Sequence, residues 1–205
     1  MVDDSSWFSS GYDVVKEEAA KNTYGDEFRI DDGEAVKVRF LSEEPVSFRQ
    51  HNPNIEGKWP KYTCRQGLDG GCPLCKVGHK ARFVGAFSVY DYRDKKVKVY
   101  VQGIRVLKVL DRLHVREGGL MGQDFEITRT GTGTDTTYNF IPLAPGEVPV
   151  EAKEENGKLK SMDLSTKYAP RPVEELTGVA TKIGGSAVAP VDEKGFSTGT
   201  GKPPF

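Results

Sequence analysis

Residues 83–102 read F-V-G-A-F-S-V-Y-D-Y-R-D-K-K-V-K-V-Y-V-Q, two runs of alternating character on either side of R-D-K. Period-two alternation rich in β-branched and aromatic residues predicts two half-buried strands, Phe83 to Tyr92 and Lys96 to Gln102, joined as a hairpin. With Tyr92 set opposite Lys96, the side chains of Phe83, Phe87, Val89, Val97, Val99 and Val101 share one face. A slip of one residue would bury lysines, so the hydrophobic pattern selects this register. The other face then carries Ser88, Tyr90, Tyr92, Lys96, Lys98 and Tyr100. Rings interleaved with ammonium groups are what an unpaired nucleic-acid strand uses, the rings for base stacking and the cations for phosphates. The same residues also suit plain strand formation, because tyrosine favours strands and lysine guards an exposed sheet.

Outward from the hairpin the same patterning continues. Ala35 to Leu41 alternates, with Val36, Val38 and Phe40 on one side and Lys37 and Arg39 on the other, and Val46 to Gln50 reads as a second strand. Gly103 ends the hairpin, and Ile104 to Arg116 has Leu107, Leu110 and Leu113 at helical intervals, with Arg105 at its start. Strands at Phe125 to Thr130 and Thr137 to Leu143 flank the turn G-T-G-T-D, which lacks the G-K-[ST] ending of a phosphate loop. Several short strands, one intervening helix and frequent glycine turns predict a mainly β fold, a small Greek-key barrel of the OB type, over residues 35–145. An acidic arm (1–34) precedes it, with a short helix from Ser10 to Asn22 opened by S-x-x-D. An extension (146–205) follows, with one short helix near Val173 to Ile183 and a tail expected to be disordered.

Between the second strand and the hairpin lies H-N-P-N-I-E-G-K-W-P-K-Y-T-C-R-Q-G-L-D-G-G-C-P-L-C, residues 51–75, which holds all three cysteines of the chain. The C-P-L-C knuckle presents two thiolates at the approach that tetrahedral Zn2+ needs, and Cys64 with a histidine completes four ligands. His51, separated from Cys64 by twelve residues, and His79, a short step after Cys75, are both candidates for the fourth. A disulfide framework fits poorly with three cysteines and no secretory signal, and buried free thiols are the plain alternative. A closed set of four protein ligands makes the ion structural and the subdomain, residues 51–82, metal-dependent; the deaminase signature of a zinc enzyme is absent.

The charge is unevenly spread. Residues 1–34 carry ten acids and three bases, whereas residues 76–116 carry eleven Lys or Arg against three Asp, so the middle of the chain attracts phosphate and the start repels it. No apolar run reaches the roughly eighteen residues of a membrane span and the N-terminus is acidic, from which a soluble protein of a reducing compartment with no membrane contact is expected.

The order His51, Gly57-Lys58-Trp59, Cys64, Cys72-Pro73-Leu74-Cys75 resembles the zinc subdomain of the T-even bacteriophage single-stranded DNA-binding proteins, with their H-x12-C gap, internal G-K-W and C-P-x-C knuckle. The resemblance runs more loosely to about Pro145 and covers neither end. It implies an OB fold, His51 as the fourth zinc ligand, and a non-catalytic role coating single-stranded DNA during replication, recombination and repair in the cytoplasm of a bacterial host. On that reading Lys37, Arg39, Lys76, Lys80, Arg82, Lys96, Lys98 and Arg105 contact phosphates, and Trp59, Phe83, Tyr90, Tyr92 and Tyr100 stack on bases. Tyr100 in its Y-x-x-G and the K-A-R-F of Lys80 to Phe83 are the family-like positions. The terminal Pro204-Phe205 resembles the protein-recruiting tip of bacterial single-stranded DNA-binding proteins, implying replication or recombination partners. The family's basic arm and acidic tail have no counterpart, and seven residues separate Cys64 from Cys72 where the family has nine. A rival reading from another class is a zinc-ribbon module that binds a protein of a replication or transcription complex.

Overall fold

The computed structural model describes residues 25–147 and 159–184. The helix expected from Ser10 to Asn22 and the tip at Pro204-Phe205 lie outside them. The chain divides into two compact units, Met1–Gln50 with Arg82–Ala169, and His51–Ala81 with Pro170–Phe205.

The first unit is built on an antiparallel sheet. In β1 (Ala35–Phe40) Val36, Val38 and Phe40 are buried while Lys37 and Arg39 stay half-buried, the alternation that the sequence predicts. The ten-residue β4 (Arg82–Asp91) pairs along one edge with β5 (Lys96–Gly103). Its other edge is shared, Arg82 to Ala86 pairing with β2 (Val46–His51) and Val89 to Asp91 with β1. β1 continues onto β6 (Asp124–Thr130), and β6 onto β7 (Thr137–Pro142). The path β2-β4-β1-β6-β7, with β5 on β4, is open: among the described residues no ladder returns from β7 to β5 or β2.

This overturns the expected mainly β, OB-type Greek-key barrel. The fold is mixed α/β with an open, uncurled sheet. Strand count and glycine turns were compatible with either form, but closure depends on which edges pair, and the edges of β4 are used up by β5, β2 and β1. Helix α2 (Ile104–Glu117) supplies the second layer, burying Leu107, Leu110 and Leu113, and ends on Gly118 at φ 74°, where the left-handed backbone favours glycine.

The hairpin register also differs from the sequence reading by one residue. Asp91, not Tyr92, lies opposite Lys96, so Phe87 faces Tyr100 and Val89 faces Lys98. Phe87, Val89 and Tyr100 join Phe40, Phe125 and Leu110 in the main core. The opposite face is not wet either: Ala86 and Val99 pack with Leu164 of α3 (Leu164–Lys167), and Phe48 stacks on Tyr168 with ring centroids 4.7 Å apart. Burial on both faces removes the penalty that selected the other register. The lysine so buried, Lys98, is neutralised by ion pairs to Asp91 and Asp94.

The second unit contains β3 (Tyr62–Thr63), the single-turn α1 (Pro73–Lys76) and α4 (Val173–Gly184). Leu74 and Cys72 pack on Leu176 and Ala180, with Tyr62, Val77 and Ile183 around them. Arg171 sits over the Tyr62 ring, 5.4 Å from its centroid. Among the described residues no helix is long and apolar enough to cross a membrane.

Candidate metal centre

The knuckle is made by two consecutive glycines and one turn of helix. Gly70 and Gly71 both adopt left-handed backbone, φ 77° and 65°, and reverse the chain into Cys72. Pro73 then opens α1, where its missing N–H costs nothing. The backbone N–H of Lys76 donates to the Cys72 carbonyl and that of His79 to the Leu74 carbonyl, holding Cys72, Cys75 and His79 around one turn. Gln66 donates its N–H to Cys64 Sγ at 3.4 Å.

One ligand atom from each of His51, Cys64, Cys72 and Cys75 lies within 4.8 Å of all the others. The sulfurs of Cys64 and Cys75 are 3.5 Å apart, and His51 Nε2 is 3.3 Å from Cys72 Sγ and 3.6 Å from Cys75 Sγ. His51 and Cys72 are buried, while Cys64 and Cys75 are partly exposed. His79 is adjacent but stands outside the set, its Nδ1 3.1 Å from His51 Nδ1. The choice between the two histidines is thus made by geometry: His51 faces the sulfurs and His79 faces the back of His51.

Electrostatics match this division. Burial, with His79 beside it, lowers the pKa of His51 and keeps its imidazole neutral, the state that binds a metal. Burial opposes ionisation of Cys72, yet backbone N–H groups of Arg65, Cys75 and Leu74 hold its thiol below the ordinary value. Burial and the thiols of Cys64 and Cys72 push Cys75 up to about 12. Three sulfurs at this spacing cannot all ionise beside one another unless a cation offsets their charge. The cluster is built to hold a metal ion.

The residues expected on a nucleic-acid surface are not brought together. Tyr90, Lys98 and Tyr100 are buried. Tyr100 packs edge-on against Phe28 at 5.3 Å, and burial raises its phenol well above the ordinary pKa. Tyr92 donates its hydroxyl to Asp124, which also takes Arg39 in a two-pronged ion pair. Lys37 donates to the Glu147 carbonyl, Lys76 to that of Gly70, Arg105 to that of Thr134, and Arg82 to Gln50 Oε1. Lys80, Lys96, Phe83 and Trp59 remain exposed. The interleaved face was a product of the slipped register: with Asp91 opposite Lys96, rings and cations go to the core and to carboxylates. Asp91, Asp94 and Asp124 were passed over in the sequence because their partners are set by pairing across strands, not by spacing along the chain.

No family model, no curated protein and no solved structure matches the chain. The resemblance to the T-even phage proteins is therefore corrected. It rested on the H-x12-C gap, the internal G-K-W and the C-P-x-C knuckle, short strings confined to residues 51–75, and the open sheet does not support the OB fold, nor does any match support a DNA-binding role or a phage affiliation.

Proposed function

We propose that the chain is a non-catalytic zinc-binding module that docks a protein of a replication or transcription complex through the loop its metal holds. The observation that carries this is the closed ligand set. With Zn–S bonds of about 2.3 Å and Zn–N bonds of about 2.0–2.1 Å, tetrahedral ligand atoms sit about 3.5–3.8 Å apart. Three of the six separations, at 3.3 to 3.6 Å, are close to that spacing, and all six lie within 4.8 Å. Three soft thiolates and one imidazole favour zinc over a hard cation, and four protein ligands leave no position for a reacting water. When bound, the ion offsets two of the three thiolate charges and ties His51, the 62–64 segment and the knuckle into one loop system.

That loop carries apolar side chains that no other described residue covers. Trp59 is 60% exposed and Leu68 48%, on the chain between the first and third ligands. Tryptophan is enriched among the residues that anchor protein interfaces, and Lys58 beside it favours a partner whose pocket has an acidic rim. Native mass spectrometry should find one zinc per chain. Trp59→Ala with Leu68→Ala should weaken capture of the cognate partner at least tenfold while zinc content stays the same. A protein without zinc, or one that prefers single-stranded oligonucleotide to an acidic polypeptide of equal charge, would overturn the reading.

A further inference from the structure

A groove of about 480 Å3 runs along the first unit between α2 and the loop that leads into β2. Its floor is apolar: Phe87, Leu107, Leu110 and Leu120 are buried, and Gly85, lacking a Cβ, lets Leu107 and Pro45 close over β4. Its lips are apolar as well. Phe83 is 40% exposed and Ile104 50%, two large side chains left in water at the edge of that floor. None of the polar side chains that line the groove is buried, so polar groups stand only around the rim.

Glu43 fixes the wall opposite the helix. Its carboxylate pairs with His114 Nδ1 at 2.7 Å and accepts from the backbone N–H groups of Leu120 at 3.1 Å and Met121 at 2.9 Å, so it clasps the end of α2 and the turn after it. These bonds, that of Met121 foremost, hold the Glu43 carboxyl below the usual carboxylate value. A groove held in shape this way costs little to organise when something enters it. The other two carboxylates of the rim are unengaged. Glu44 on the loop and Asp111 on α2 are exposed, and their side chains take part in no ion pair or hydrogen bond among the described residues. Lys108 is the single ammonium among the lining residues and His114 is held by Glu43, so the rim carries an excess of negative charge.

We propose that this groove docks a short segment of a partner protein in which one or two large apolar side chains are flanked by Lys or Arg. The apolar anchor covers Phe83, Ile104 and the floor between them, removing their surface from water. Glu44 and Asp111, on different walls, take the flanking cations, and charges at such a rim set orientation and association rate more than affinity. A small ligand would need polar groups set among the apolar ones to orient it, and this floor has none. The groove is independent of the zinc reading, since none of its residues belongs to the second unit.

The test is selection of a random dodecapeptide display library on the full zinc-loaded chain, followed by fluorescence anisotropy with the enriched peptides. At least one enriched family should combine a Phe, Leu, Ile, Met or Trp with a neighbouring Lys or Arg and bind at micromolar to sub-millimolar concentration. Phe83→Ser with Ile104→Ser should weaken that family at least tenfold. Glu44→Gln with Asp111→Asn should weaken it at least threefold and flatten its salt dependence. Thermal unfolding of both free variants should stay within a few degrees of the parent; if the Phe83 variant proves misfolded, Ile104→Ser alone should give at least a threefold loss. Trp59→Ala with Leu68→Ala should leave these peptides bound, which separates the groove from the metal-braced loop. The absence of any enriched family that depends on the groove residues overturns the proposal, as does a family that depends on them but carries no basic residue. A dimer in sedimentation that Ile104→Ser dissolves would make a second copy the occupant, and phenethylamine binding as tightly as the best peptide would make this a small-molecule site; either result also overturns it.

Discussion

His51 Nδ1 lies 3.1 Å from His79 Nδ1, on the side of the ring away from the sulfurs that His51 Nε2 faces. A neutral imidazole that ligates through Nε2 carries its proton on Nδ1, and here the His79 ring stands where it can accept from that N–H. His79 thus sets the tautomer and aim of the ligand without being one. His51→Ala should abolish tight zinc binding, whereas His79→Ala should weaken it by about 10–100-fold, the usual effect of removing such an orienting partner. Competition with a chromophoric chelator measures both. The cobalt-substituted protein should keep a tetrahedral visible spectrum in the His79 variant and lose it in the His51 variant.

Metal removal should unfold the second unit selectively. Its core is small, chiefly Cys72, Leu74, Leu176 and Ala180, and three of the ligands, Cys72, Cys64 and Cys75, lie within or beside it. Structural zinc contributes on the order of 10 kcal/mol of apparent binding free energy to such domains. Chelation, or Cys72→Ser, should collapse amide-exchange protection at Leu74 and Leu176. Protection at Val38 and Ile127, in the core of the sheet, should persist.

The elements were legible in the sequence where local periodicity decides them. Helix α2 starts at Ile104 and α4 at Val173 as their patterns predict, and β1 and the paired runs of β4 and β5 fall within a residue of the expected bounds. The three cysteines of the site were legible too, because knuckle spacing is itself coordination geometry, whereas the choice of His51 over His79 was not, since both stand at workable spacing and only the folded chain orients them. What misled was a pairing rule applied with one face assumed wet. The segment from Met162 to Tyr168, far along the chain, covers that face, and nothing in residues 83–102 announces it. Once both faces are buried, the alternation of Val and Lys no longer distinguishes two registers, and Asp91 becomes the deciding residue by pairing with Lys98. The barrel failed for the same reason, since edge use by β4 is a long-range property.

The Asp91 carboxylate is fully buried and accepts from Lys98 Nζ at 3.0 Å and from Arg93 at 2.8 to 3.1 Å. Burial alone would raise its pKa, but the bonds from Arg93 and Lys98 prevail and hold it below the ordinary carboxylate value. A carboxyl depressed in the folded state adds stability above its unfolded pKa, about 3.9, and loses it as pH falls through the lower folded value. Asp91→Asn removes one of the two carboxylates paired with Lys98 and leaves Asp94, so it should cost about 1.5–3 kcal/mol at pH 7. Its urea midpoint should also vary less with pH below about 4 than that of the parent. Replacing both residues together, Asp91→Leu with Lys98→Met, should recover most of the loss, because a buried pair exchanged for apolar side chains is often neutral.

Gly85 on β4 faces α2 so closely that a methyl group there would lie 2.8 Å from Leu107 Cδ2 and 3.0 Å from Pro45 Cβ. Its backbone is ordinary strand, so the requirement for glycine is one of space, not of dihedral angle. Gly85→Ala should therefore destabilise the first unit by about 1–3 kcal/mol through overpacking. Leu107→Ala alone should cost about 2–5 kcal/mol through the cavity it leaves. The two are in contact, so their effects should not add: the alanine methyl partly fills the space vacated by Leu107, and the double variant should be more stable than the sum of the singles implies. Urea denaturation of the four proteins closes the cycle. Strict additivity would mean that the helix does not approach the strand at Gly85, and that the open sheet is covered in some other way.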